Sequence, residues 1–128
     1  VAPDKAHSLL YFATMFIGDS QTMTSEAAVL GVPALRCNTL ADTISYLREE
    51  EETYGLTYAY KPDEFGLLQD KIEELLRIPD LRSEWNRRRE IMLGDKIDLT
   101  AFMVWLVENY PEKAGRSDFR EIDFNRYR

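Results

Sequence analysis

Apolar positions along this chain follow two alternating rhythms. Three short runs, Thr14–Gly18 (TMFIG), Val32–Cys37 (VPALRC) and Leu56–Tyr60 (LTYAY), have the length and residue types of buried strands. Between them the period lengthens to that of a helix. Helices are expected over Ala6–Ala13, with Leu9, Leu10, Phe12 and Ala13 on the buried side, and over Ala-rich Thr22–Leu30, stopped by Gly31. A third is expected over Thr43–Tyr54, where Ile44, Leu47 and Tyr54 are apolar in an acidic stretch and Gly55 is the stop. Pro62 opens a fourth that runs to about Ile78, with Phe65, Leu68, Ile72, Leu75 and Leu76 at helical spacing. Two more follow, from about Leu81 to Leu93 and from about Leu99 to Tyr110. After Pro111 the chain is polar, with scattered Phe119, Ile122, Phe124 and Tyr127.

This order, α-β-α-β-α-β-α-α-α, predicts an α/β fold: a partial Rossmann-like three-layer unit with about three parallel strands flanked by helices. Residues 1–110 read as one subdomain and 111–128 as a surface tail. Three strands are few for a parallel sheet, which needs both faces covered. The economical expectation is a domain truncated at its N-terminus (the first residue is Val, not Met). Its first strand would then be an exposed edge through which a homodimer can form.

Composition narrows the function. With 45% hydrophobic and 30% charged residues, the 128-residue chain has the balance of a globular protein rather than a disordered one. No stretch approaches the ~20 apolar residues of a membrane span. Sixteen Lys and Arg against 23 Asp and Glu leave a net charge of -7, which disfavours a nucleic-acid partner. A single nucleotide held by backbone N–H groups stays compatible with that charge. One cysteine, Cys37, excludes an internal disulfide and a multi-Cys zinc site, and one histidine, His7, argues against a His-rich metal site. No metal and no cofactor are expected. The sequence carries no secretion or transit signature, so the expected location is cytoplasmic.

The most specific stretch runs Ile17-Gly18-Asp19-Ser20-Gln21-Thr22-Met23-Thr24-Ser25-Glu26-Ala27-Ala28-Val29-Leu30-Gly31-Val32-Pro33. It reads as strand, small polar turn, helix, glycine stop, strand. The turn falls at the carboxyl end of a parallel strand, where open α/β sheets bind ligands. The helix that follows points its unpaired N–H groups at that spot and favours an anion such as a diphosphate. Ser20 and Thr22 add hydroxyls. Glu26 would repel phosphate but suits the hydroxyls of a ribose. It shares a helix face with Thr22 and lies roughly 9 Å along the axis from Ser20.

These residues resemble the sugar-nucleotide motif in the C-terminal domain of GT-B-type glycosyltransferases and of non-hydrolysing UDP-N-acetylglucosamine 2-epimerases. The epimerase pattern is Asp-Ser-Gly-Gly, three residues, then Glu-Ala. Asp19, Ser20, Glu26 and Ala27 match it in register, and Leu30, Gly31 and Pro33 match the Leu-Gly-x-Pro that follows. The likeness is greatest to an uncharacterised branch whose members read Ile-Gly-Asp-x-x-Thr-Met, then Glu-Ala-Ala. It covers roughly residues 3 to 76.

The resemblance implies a GT-B C-terminal domain fragment that binds a nucleotide-diphosphate sugar, a UDP-sugar first, for polysaccharide biosynthesis. Gly18, Ser20, Gln21 and Thr22 would line the diphosphate, Glu26 would hold the ribose, and His7, Asp19 and Arg36 are further candidates. An epimerase-like enzyme is the alternative within the class, and a non-catalytic interaction module that kept the fold is the alternative outside it. Gln21 and Thr22 stand where the epimerases have two glycines, and Ser25 stands where they have a second Glu. The catalytic acids and histidine of that family have no counterpart segment here. Activity would therefore need an N-terminal domain absent from this chain.

Each candidate also has a plainer reading. Ser20 and Thr22 suit an ordinary helix cap, and Asp19 suits an Asx-type turn. His7 suits a helix-terminal surface group, and Cys37 a small buried hydrophobe. Arg36 and Asn38 suit a solvated loop after the second strand. Glu49–Glu52 read as a solvated helix face, and Arg87, Arg88 and Arg89 as partners of Glu84 and Glu90. Trp85, Phe102, Met103 and Trp105 read as packing residues.

Overall fold

The computed structural model describes residues 2–39, 45–109 and 123–128. Three strands, β1 (Phe16–Gly18), β2 (Ala34–Cys37) and β3 (Thr57–Tyr60), form one parallel sheet in the order β1-β2-β3. The helices are α1 (Ala6–Phe12), α2 (Gln21–Val29), α3 (Ser45–Glu52), α4 (Phe65–Leu76), α5 (Leu81–Asp95) and α6 (Leu99–Asn109). Short 3-10 turns occupy Pro3–Lys5, Pro62–Glu64 and Phe124–Tyr127. Contacts divide the chain into two units, Val1–Met92 and Leu93–Arg128. The first carries the sheet.

Both predicted glycine stops act as such. Gly31 (φ +71°) and Gly55 (φ +62°) take the left-handed conformation that a side chain disfavours. At each, two N–H groups close on the last turn of the helix: Gly31 and Val32 on the carbonyls of Ala28 and Ala27, Gly55 and Leu56 on those of Glu51 and Glu50. The chain then turns directly into β2 and β3.

Alternation along β2 sorts the core into two faces. Leu35 joins Leu56, Leu68, Leu75, Trp85 and Met92, with Cys37 packed beside them. Ala34 joins Leu10, Ala27 and Val32, with Phe16 packed beside them. Trp85 is fully buried, and its indole N–H donates to the Leu56 carbonyl at 2.9 Å. These are the layers of a Rossmann-like arrangement.

Several expectations need correction. Of the four α1-region residues read as buried, only Leu10 is; Leu9 is 54% and Phe12 81% exposed. Successive helical residues turn by about 100°, so Leu9, Leu10 and Phe12 cannot all face α2. Phe65 and Leu76, though at helical spacing, are likewise exposed at the ends of α4. The expected start of the third helix, Thr43 and Ile44, lies outside the described residues, as do Tyr110, Phe119 and Ile122. In the second unit Phe102, Trp105, Phe124 and Tyr127 form one ring cluster with centroids 5.5–6.1 Å apart. Trp105 and Phe102 are packing residues as expected, whereas Met103 is 47% exposed.

Candidate functional site

The β1–α2 turn reaches the carboxyl edge of the sheet, as the strand-turn-helix pattern requires. Ser20 is the N-cap of α2, and its Oγ accepts from the Met23 N–H at 3.3 Å. The Ser20 carbonyl accepts from the Thr24 N–H at 3.1 Å and from Thr24 Oγ1 at 2.7 Å. Ser20 thus satisfies one of the orphan amides itself. Its own hydroxyl proton stays available to donate, because capping uses only a lone pair. The N–H groups of Gln21 and Thr22 find no acceptor among the described residues, as expected of the first helical positions. Gln21 opens α2 with φ outside the left-handed region, and among the described non-glycine residues only Asp80 has a positive φ. The turn therefore does not depend on the glycines that Gln21 and Thr22 replace.

Gly18 serves packing. A Cβ there would meet the end of the Phe16 ring at 2.7 Å, so the missing side chain is the space that the ring fills. The expected Asx turn at Asp19 is not formed. Its exposed carboxylate makes no bond to a described residue, while its main-chain carbonyl accepts from Asn38 Nδ2 at 2.8 Å. That bond ties the loop after β2 to the turn after β1.

Arg36 departs most from expectation. Instead of lying in a solvated loop it is the third residue of β2, 2% exposed, in register with Gly18 on one side and Ala59 on the other. Alternation puts it on the Ala34 face, opposite Leu35 and Cys37. Its Nε and Nη1 are buried with no hydrogen-bond acceptor, and it forms no ion pair with a described residue. A buried guanidinium without an acid partner is uncommon, since the desolvation penalty goes unrepaid.

Glu26 and His7 meet on the flank of the same helix. His7 Nε2 lies 3.4 Å from Glu26 Oε2, with the side chains 70% and 38% exposed. Both line an open cleft of about 400 Å³ with Ser25, Val29 and Leu30. Glu26 is neither buried nor turned away from a groove. His7 is the exposed helix-terminal group that its position suggested, and it also lines this cleft.

The acidic run is not a uniform solvated face. Glu50 is 7% exposed and accepts from Ser25 Oγ at 2.5 Å, joining α3 to α2. Glu51 Oε1 accepts from the Ala59 N–H at 3.1 Å. Burial, reinforced by the charge of Glu51, pushes the Tyr60 phenol up to about 12. By contrast, Arg87 and Arg88 do what the spacing predicts. Both bond Glu84, and those bonds lower its carboxyl to about 2. Arg88 also donates to the Gly55 carbonyl. With Thr53, Tyr54, Arg87 and Ile91 it lines a smaller cavity of about 240 Å³.

Among the described residues no cluster of His, Cys, Asp and Glu could hold a metal ion, and no helix is long and apolar enough to cross a membrane. No family model matches this chain, and neither a curated protein nor a solved structure does.

Proposed function

We propose that this chain is the donor-binding part of a GT-B-like glycosyltransferase, holding a nucleotide-diphosphate sugar at the amino end of α2. One observation carries the reading most. The buried guanidinium of Arg36, unpaired among the described residues, stands in β2 beside the strand end that feeds α2, so that Arg36 and the α2 amides offer positive charge from one sheet edge. A diphosphate would satisfy both. The Gln21 and Thr22 amides and the Ser20 hydroxyl would donate to one phosphate and Arg36 to the other, while Glu26, further along α2, would accept the ribose hydroxyls.

In glycosyl transfer the diphosphate is the leaving group, and donors already aimed at its developing charge lower the barrier. This chain would supply that leaving-group stabilisation. The acceptor's base and the other wall of the cleft would come from an N-terminal domain. A sugar-nucleotide epimerase would use the same half-site, and only the residues of the other wall distinguish the two.

The module that kept the fold without the site is favoured by one observation: Ser20 caps its own helix, as it would with no ligand. Titrating UDP and UDP-sugars into the 15N-labelled chain separates the readings. Shifts centred on residues 18–26 and on Arg36 are expected for a donor site, and their absence in Arg36→Met ties them to the guanidinium. A chain silent to every nucleoside diphosphate, alone and joined to its N-terminal domain, refutes the donor site.

A further inference from the structure

Resting on that donor-site reading, the geometry points to His7 as a specificity-determining residue, one that pairs with Glu26 to select a ribonucleotide over its 2′-deoxy counterpart. A carboxylate can only accept hydrogen bonds. Glu26 alone can take the two O–H protons of a ribose diol but offers nothing to the hydroxyl oxygens. His7 Nε2, 3.4 Å from Glu26 Oε2, places a donor beside that acceptor. The two reach the same spot from different helices, α1 and α2, so the separation is set by helix packing rather than by one flexible loop. Leu10, one turn beyond His7 on α1, is buried with Ala27, the neighbour of Glu26 on α2, and that contact fixes the approach.

The remaining walls suit the rest of a nucleoside. Val29 and Leu30 continue the cleft one turn past Glu26. Val29 is 44% exposed, an apolar ledge of the kind a flat base covers. Phosphate, diol and base would then follow one another along α2 from Ser20 to Leu30. Selectivity comes from the middle station. Removing the 2′-hydroxyl leaves Glu26 with one proton fewer to accept and His7 with one oxygen fewer to donate to.

The test measures dissociation constants of the four ribonucleoside diphosphates and their 2′-deoxy forms for the full chain, for His7→Ala and for His7→Gln. The native chain should prefer the ribo form about tenfold, the scale of one charge-assisted hydrogen bond in a half-exposed cleft. His7→Ala should cut the preference to about threefold by weakening the ribo form alone, because Glu26 still accepts from the 2′-hydroxyl. His7→Gln, whose amide N–H can stand near the Nε2 position, should restore most of the preference. Because His7 is 70% exposed, neither change threatens folding. A preference unchanged in His7→Ala, or equal weakening of both forms, overturns the role of His7 and leaves the donor site standing. Absence of binding by all eight nucleotides, both to this chain and to the chain joined to its N-terminal domain, overturns the donor site, and this role with it.

Discussion

Replacing Arg36 by Met should make the protein more stable and unable to hold a diphosphate. The two effects have opposite consequences for a cell, so they separate a structural arginine from a functional one. Arg36 is 2% exposed, with Nε and Nη1 lacking acceptors among the described residues. At about 1–3 kcal/mol for a buried unsatisfied polar group, and less than additively for two atoms of one guanidinium, the pair costs about 2–4 kcal/mol. Met keeps most of the aliphatic length, and the small loss of volume costs about 1 kcal/mol. The net expectation is a gain of about 1–3 kcal/mol, within the range of about 1–4 kcal/mol found when buried charges give way to apolar side chains. At about 4 °C per kcal/mol for a chain of this size, the melting temperature should rise by about 4–12 °C.

Urea unfolding of the native and Arg36→Met chains checks this, with the slope on denaturant expected to be unchanged. Repeating it with UDP at a hundred times its dissociation constant should add about 2.7 kcal/mol to the native chain and little to the variant. A variant less stable than the native chain would mean that the guanidinium finds partners inside the protein, and the case for an anion site built around it would fail. Equal stabilisation of both by UDP would place the ligand elsewhere.

Other substitutions probe the same edge and the core behind it. Ser20→Ala removes the α2 cap and should cost about 1 kcal/mol in thermal or urea unfolding, while Ser20→Asp should keep the cap and lose phosphate-induced NMR shifts by charge repulsion. Trp85→Phe leaves the Leu56 carbonyl without its donor in a fully buried site and should cost about 2–3 kcal/mol. The Tyr60 phenol should titrate near 12, followed by phenolate absorbance with Tyr60→Phe as the reference. Its folded pKa lies above the unfolded value of 10.0, so the unfolded chain gives up that proton first. Stability should fall as pH rises from 10 towards 12, with a shallower fall in Tyr60→Phe.

What could be read beforehand was whatever depends on neighbours in the chain. Gly31 and Gly55 end their helices because the left-handed turn is a local requirement, and the apolar runs before and after them have only the sheet to enter. The limits of β1 and β2 were less legible. Thr14, Met15, Val32 and Pro33 are apolar or near-apolar enough to extend both strands, yet pairing begins only where two strands lie side by side, Phe16 opposite Ala34. Burial of charge was hidden for the same reason. Glu50 and Glu51 differ from Glu49 and Glu52 not in type but in what α2 and β3 bring to them, a Ser25 hydroxyl and an Ala59 amide.

Arg36 did leave a trace. A central strand of a parallel sheet is covered on both faces and reads as a continuous apolar run. In Val32–Cys37 one residue, Arg36, breaks that run, and the strand itself carries no acid. Local consistency fails in natural chains chiefly where a function requires it to fail. A strand that holds a guanidinium, unpaired among the described residues, at the carboxyl edge of its sheet and one strand away from a helix amino end is expected to hold it against its own stability. The simplest force that could retain it is a ligand carrying the opposite charge.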